Sequence, residues 1–200
     1  MKRLFVLFAL VALFCPLADV AAQSIGGHEI EVRSENRIDA RESKKNNKKQ
    51  QRAEEREVAY ISALALLDSR DFVLEANKLS MPDGSSLAVF SDVNYLMMKG
   101  DKAVVQVNPG ISGGPNGMGG ITLEGRVVDL TKTTDKRGNV TLKYTVMSTG
   151  GSAEVELKLL SGGDKANATI TPKMRSSARV IMFGKLLASE FSRVFKGFSM

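Results

Sequence analysis

Gly120-Ile-Thr-Leu-Glu-Gly-Arg-Val-Val128, Asn139-Val-Thr-Leu-Lys-Tyr-Thr-Val146 and Ser152-Ala-Glu-Val-Glu-Leu-Lys-Leu159 alternate apolar and polar residues almost without error. A period of two gives a strand one dry face and one wet face. Ile121, Leu123 and Val127 share a side. Val140, Leu142, Tyr144 and Val146 oppose Thr141, Lys143 and Thr145. Ala153, Val155, Leu157 and Leu159 oppose Glu154, Glu156 and Lys158. The linkers Lys136-Arg137-Gly138 and Thr149-Gly150-Gly151 have turn chemistry, so neighbouring strands are expected to pair antiparallel.

The pattern continues on both sides. Phe72 to Leu79 reads as a first strand, and Met81-Pro82-Asp83-Gly84 as a turn. Ser86 to Phe90 reads as a short strand. Val93 to Met98 and Ala103 to Val107 form a hairpin around Lys99-Gly100-Asp101-Lys102. Downstream, Lys165 to Thr171 is a strand ended by Pro172, and Ala178 to Phe183 is another that Gly184 is expected to break. Gln50 to Ser69 has a helical apolar stripe through Val58, Ile61, Leu64 and Ala65, with a start as early as Ala40. The expected fold is mainly β with one helix (α+β): a strongly curved antiparallel up-and-down sheet or barrel-like sandwich of about 7–9 strands, with the N-terminal helix packed on it.

Three segments divide the chain: residues 1–22, 23–49 and 50–200. Lys2 and Arg3, the apolar run Leu4 to Phe14 and the small residues Val20-Ala21-Ala22 read as a secretory signal peptide cleaved before Gln23. The run is too short to span a bilayer, so no transmembrane segment is expected after cleavage. Phe14 before Cys15 is too bulky for a lipobox, so lipidation is not expected. Gln23 to Lys49 is a polar, basic tail, partly disordered or the opening of the helix. Its run Lys44-Lys45-Asn46-Asn47-Lys48-Lys49 has no interleaved aromatic residues, which argues against nucleic-acid binding. The expected location is the periplasm or the cell surface.

Composition excludes much chemistry. The single cysteine, Cys15, leaves with the leader, and His28 is the single histidine. Thiolate sites, histidine triads and histidine-based zinc motifs are therefore ruled out, and no metal or cofactor is expected. The net charge is +6. Glu124, Glu154 and Glu156 raise the possibility of paired carboxylates, but Arg126, Lys143 and Lys158 lie among them, and cross-strand ion pairing accounts for the pattern. No catalytic residue is assigned. With no tryptophan, and with Tyr60 and Tyr144 pointing inward, Tyr95 is left as a weak candidate glycan platform.

The stretch that looks like a site is Asn108-Pro-Gly-Ile-Ser-Gly-Gly-Pro-Asn-Gly-Met-Gly-Gly120. It lacks phosphate-loop spacing and precedes a strand, so no helix dipole serves it. Its length still marks an interaction surface, led by Pro115, Asn116 and Met118. The small residues Ala76, Ala103, Gly125, Ala153, Ala166 and Ala168 either leave a cavity or let the helix pack closely. Phe191, Val194, Phe195 and Phe198 have helix-like spacing and suit a docked tail better than a membrane-surface helix.

Several of these pieces together resemble a known family. They are Asp71-Phe-Val-Leu-Glu-Ala76, Val93-Asn-Tyr-Leu96, Lys99 to Gln106, Gly114-Pro-Asn-Gly117, Gly119 to Gly125 and Val194-Phe-Lys-Gly197. Across roughly residues 50 to 200 the chain is similar to domain-of-unknown-function family 4251, exported proteins typical of Bacteroidetes. The resemblance implies a bacterial envelope setting and brings no catalytic or binding residues. The sequence thus points to a non-enzymatic binding or structural module whose partner is an envelope protein. The alternative is a periplasmic carrier of a small apolar ligand or lipid in a lipocalin-like cavity.

Overall fold

The computed structural model describes residues 25–110, 114–117, 119–173 and 178–199, with side chains described from residue 41. The leader at 1–22 lies outside the described residues. Helix α1 runs Ile25–Ser69, so the segment read as polar tail or helix opening is helical from Ile25. Among the described residues, those up to Lys48 form one compact unit and those from Lys49 onward a second, which holds every strand.

The strands are β1 (Asp71–Ser80), β2 (Ser86–Ala88), β3 (Tyr95–Lys99), β4 (Lys102–Val107), β5 (Ile121–Thr134), β6 (Val140–Ser148), β7 (Gly151–Leu159), β8 (Lys165–Pro172) and β9 (Val180–Leu187). They hydrogen-bond in the order β2-β1-β3-β4-β5-β6-β7-β8-β9, and β9 pairs back onto β1. Eight strands therefore close an antiparallel up-and-down barrel, and β2 is an addition to it. One edge of β1 is shared: its first half pairs β3 from Asp71↔Lys99 to Glu75↔Tyr95, and its last residues pair β2 from Lys78↔Ala88 to Ser80↔Ser86. Its other edge takes β9 from Val73↔Leu187 to Ser80↔Ile181. Closure leaves no open edge on the eight strands.

Closing a short-stranded barrel needs local bends. β5 bends where its register shifts between Val128 and Thr131, with Asp129 in the left-handed region at φ 57°. β1 bends between Ala76 and Lys78. There it meets Gly184, which does not break the last strand as the sequence suggested. β9 runs straight through it, because a Cβ at Gly184 would overlap the Glu75 carbonyl. The glycine is required by close approach of two strands rather than by a turn.

The alternation read in β6 and β7 is the core itself: Val140, Leu142, Tyr144, Val146, Ala153, Val155, Leu157 and Leu159 are all buried. Phe72, Leu74, Leu96, Met98, Ala168 and Met182 complete the filled part of the barrel. Ala63 and Leu67 of α1 join the same cluster, and the Tyr60 hydroxyl donates to the Gly138 carbonyl in the β5–β6 turn. Asp68 pairs with Lys132 near the same turn. The helix thus closes the end of the barrel that carries the β3–β4, β5–β6 and β7–β8 turns.

Candidate functional site

Antiparallel alternation gathers the β1–β2, β4–β5, β6–β7 and β8–β9 connections at the opposite end. There the barrel is not filled. A cavity of about 590 Å3 lies within the mouth. Strand ends supply its walls through Met81, Val105, Val107, Leu123, Ile170 and Val180. Ala153 forms part of its floor, and Pro109, Gly114, Pro115, Gly119, Gly120, Ile121 and the 150–152 turn form its rim. Ile121 is 49% exposed and Pro82 and Pro115 also reach the surface, so the cavity opens to solvent at this end. Its volume lies within the range of small-molecule sites, roughly 300–1,000 Å3.

The loop is held as a wall by its own backbone. Gly114 and Gly120 sit so close that a Cβ on Gly114 would overlap Gly120, and one on Gly120 would overlap the Val107 carbonyl. Gly110, Gly117 and Gly119 take positive φ. Pro115 lines the cavity. Asn116 does not line it. It is fully buried, its side-chain oxygen accepts from the Gly120 N–H at 2.9 Å, and its amide donates to Thr122 Oγ1 at 3.3 Å. Met118 lies outside the described residues. The three residues singled out by sequence are thus one wall residue, one bracket and one that the structure does not describe.

The bracket extends into a strap. After a 3-10 turn at Ser189–Phe191, residues 192–199 run without helix or strand across the outside of β1, β3, β4 and β5. Val194 packs on the cluster of Val73, Tyr95 and Val104, as does Met97. Gln106, fully buried, donates to the Val93 and Phe195 carbonyls at 3.0 and 2.8 Å. It also accepts from the Gly197 N–H and from Thr122 Oγ1, both at 2.8 Å. The Phe195 N–H donates to Asp92 O at 2.7 Å and the Phe198 N–H to Asn116 O at 3.2 Å. Ser192 Oγ donates to Glu75 at 2.7 Å, and Lys196 and Ser199 both reach Glu124 at 2.9 Å. The tail is docked, but it is not helical: the Phe191, Phe195 and Phe198 side chains face solvent. One chain of hydrogen bonds, Gly197–Gln106–Thr122–Asn116–Gly120, connects the strap to the cavity wall.

The electrostatics follow from this packing. Hydrogen bonds from Lys196 and then Ser199 hold the Glu124 carboxyl below the usual range. Burial, with a smaller contribution from the Glu124 charge, pushes the Tyr95 phenol up to about 12. Tyr95 is 1% exposed beneath Val194, so it offers no glycan platform. Burial also raises the Tyr144 phenol, whose hydroxyl has no hydrogen-bond partner among the described residues. The three glutamates are not assembled: Glu156 pairs with Lys143 at 2.9 Å across β6 and β7, and Glu124 is held by the strap. Among the described residues no cluster of histidine, cysteine, aspartate or glutamate could hold a metal, and no helix is long and apolar enough to cross a membrane.

The cavity itself was not anticipated residue by residue. Its lining comes from strand ends far apart in sequence, and of the small inward residues Ala76, Ala103, Gly125, Ala153, Ala166 and Ala168 only Ala153 lies in it.

A family model described as a domain of unknown function (DUF4251) matches residues 49–186. The chain is also similar to a crystal structure of a DUF4251 family protein from Bacteroides eggerthii. The two share 36% identity with a TM-score of 0.58, over 66% of this chain and 89% of that one. No curated protein matches the chain significantly.

Proposed function

The chain belongs to the DUF4251 family of unknown function, and we propose that it is an exported, non-enzymatic binding module that takes a small apolar molecule into the mouth of its barrel. The observation that carries this is the 590 Å3 cavity bounded by aliphatic strand ends, prolines and glycines. A well-packed core leaves few voids larger than a water molecule. A space of this size at one end of a barrel filled elsewhere is the property of a site rather than of a packing defect. Among the described residues Ser152 is the one lining residue with a hydroxyl and none is ionisable, which supports the non-enzymatic reading. Export rests on the leader-like residues Met1 to Ala22.

The loop expected to meet an envelope protein contributes Pro115 to the cavity wall, which favours the small ligand over that partner. Titration of a fluorescent fatty acid should give saturable one-to-one binding. Ala153→Phe places a ring in the cavity and should abolish binding while leaving the circular dichroism spectrum unchanged. Absence of saturable binding to the wild-type chain refutes the reading. The mass of protein isolated from its native envelope fraction tests cleavage before Gln23.

A further inference from the structure

Resting on that reading, the mouth also specifies which end of a ligand enters. The cavity is entered from the mouth, because α1 closes the far end with Ala63 and Leu67 buried to 1% and 2%. Below the cavity the barrel is solid, with Leu142, Leu157 and Met182 buried completely or nearly so. Among the described residues no ionisable side chain lines the cavity, so a charged group drawn inside would lose its hydration with nothing to replace it. A ligand with a charged head therefore keeps that head at the rim.

The rim has a sign. Of the four connections at this end, 108–120 and 149–151 contain no charged residue. The β1–β2 connection carries Asp83, whose carboxylate is engaged by Ser85 at 2.9 Å and held below its ordinary pKa by those bonds. The β8–β9 connection carries Lys173, Arg175 and Arg179; Lys173 and Arg179 are exposed, and Arg175 lies outside the described residues. Lys173 and Arg179 are chain neighbours of the lining residues Pro172, Ala178 and Val180, and the Lys173 N–H donates to the Ser152 carbonyl at 2.9 Å, at the cavity edge. No aspartate or glutamate occurs from Lys165 to Ser189. Glu124 and Glu154 flank lining residues, but Glu124 is occupied by Lys196 and Ser199, and Glu154 lies on the outer, alternate face of β7.

We propose that the ligand is a single-chain amphiphile with an anionic head, its hydrocarbon tail in the cavity and its head beside Lys173 and Arg179. Long basic side chains can lay their stems along apolar surface and leave the charge in water, which suits them to this position. Two exposed cations contribute modestly, so the preference for an anionic over a neutral head should be about three- to tenfold at low salt and should fade at high salt.

The test is displacement of a bound fluorescent fatty acid from the full chain by palmitate and by hexadecanol. These share a tail length and differ in head charge. Palmitate should compete at about three- to tenfold lower concentration at roughly 50 mM salt, and the difference should shrink at roughly 500 mM. The double variant Lys173→Glu, Arg179→Glu should lose or reverse the preference, with hexadecanol competition and thermal stability unchanged. Equal competition by the two, or a palmitate preference that neither salt nor the variant moves, overturns the anionic head while leaving the cavity as a ligand site. If neither molecule displaces the probe and the probe itself does not saturate, the cavity reading fails as well.

Discussion

Replacing Gln106 with leucine tests the strap most directly. The side chain is fully buried and makes four hydrogen bonds, two as donor to Val93 O and Phe195 O and two as acceptor from the Gly197 N–H and Thr122 Oγ1. Leucine fills similar space and makes none of them. If the strap stayed in place, four buried groups would lack partners at about 1–3 kcal/mol each. That sum exceeds what one packed valine and a few exposed ionic contacts return, so the strap should release. Release gives Phe195 O and Gly197 N–H back to water and limits the cost to the free energy of docking, which we place at about 3 kcal/mol from the net value of such bonds. Hydrogen exchange at the Phe195, Gly197 and Phe198 amides should accelerate about a hundredfold, since about 1.4 kcal/mol is a factor of ten. Exchange at Val146 and Leu157, in the solid part of the barrel, should change little. The Gly120 amide should accelerate with the strap, because its acceptor Asn116 is bracketed through Thr122 and Gln106. Unchanged strap exchange, or a barrel that loosens equally everywhere, would refute the reasoning.

Four further outcomes are expected. Tyr144→Phe removes a buried hydroxyl that has no partner among the described residues and should raise stability by about 1 kcal/mol, read from urea denaturation. Leu67→Ala opens the helix-closed end and should cost about 2–5 kcal/mol by the same measurement. Because the Tyr95 and Tyr144 phenols are raised in the folded chain, stability should hold up to about pH 10. Between there and about 12 it should fall by about 1.4 kcal/mol per pH unit for each tyrosine, a slope that the double phenylalanine variant should flatten. The depressed Glu124 pKa works in the opposite sense: its contribution is complete above the ordinary carboxylate range and is lost as pH falls through the folded value. Protection of the strap amides, measured against the intrinsic exchange rate at each pH, should therefore fall at acid pH, and Glu124→Gln should remove that dependence.

The barrel was legible where one face is dry and the other wet. Every apolar member of the alternating sets in β6 and β7 is buried, and the Lys143–Glu156 pair is the cross-strand contact their alternation implied. Legibility failed where backbone meets backbone. Gly184 looks like a strand breaker when its chain neighbours alone are considered and is instead a point where β9 passes too close to β1 to admit a Cβ. The C-terminal phenylalanines have helical spacing, yet buried Gln106 claims the backbone groups of that segment and draws it out straight. The residues that line the cavity escaped for a third reason. Its walls are the first or last residues of several strands, which share an end of the barrel without sharing any local pattern.

The β1–β9 seam has a consequence for biosynthesis. It joins the first strand of the barrel to the last, from Val73↔Leu187 to Ser80↔Ile181. A growing chain can form the meander from β3 to β8 hairpin by hairpin, since each contact there is local. It cannot close until Leu187 has emerged, and until then both β1 and the advancing hairpin expose unpaired edges that invite association with other chains. The strap follows the closing strand by a few residues, so it docks last, onto strands that are already in place. A chain that stalls before β9 should therefore be an open, aggregation-prone sheet with no mouth, and the cavity should come into existence only once the closing strand has joined the first.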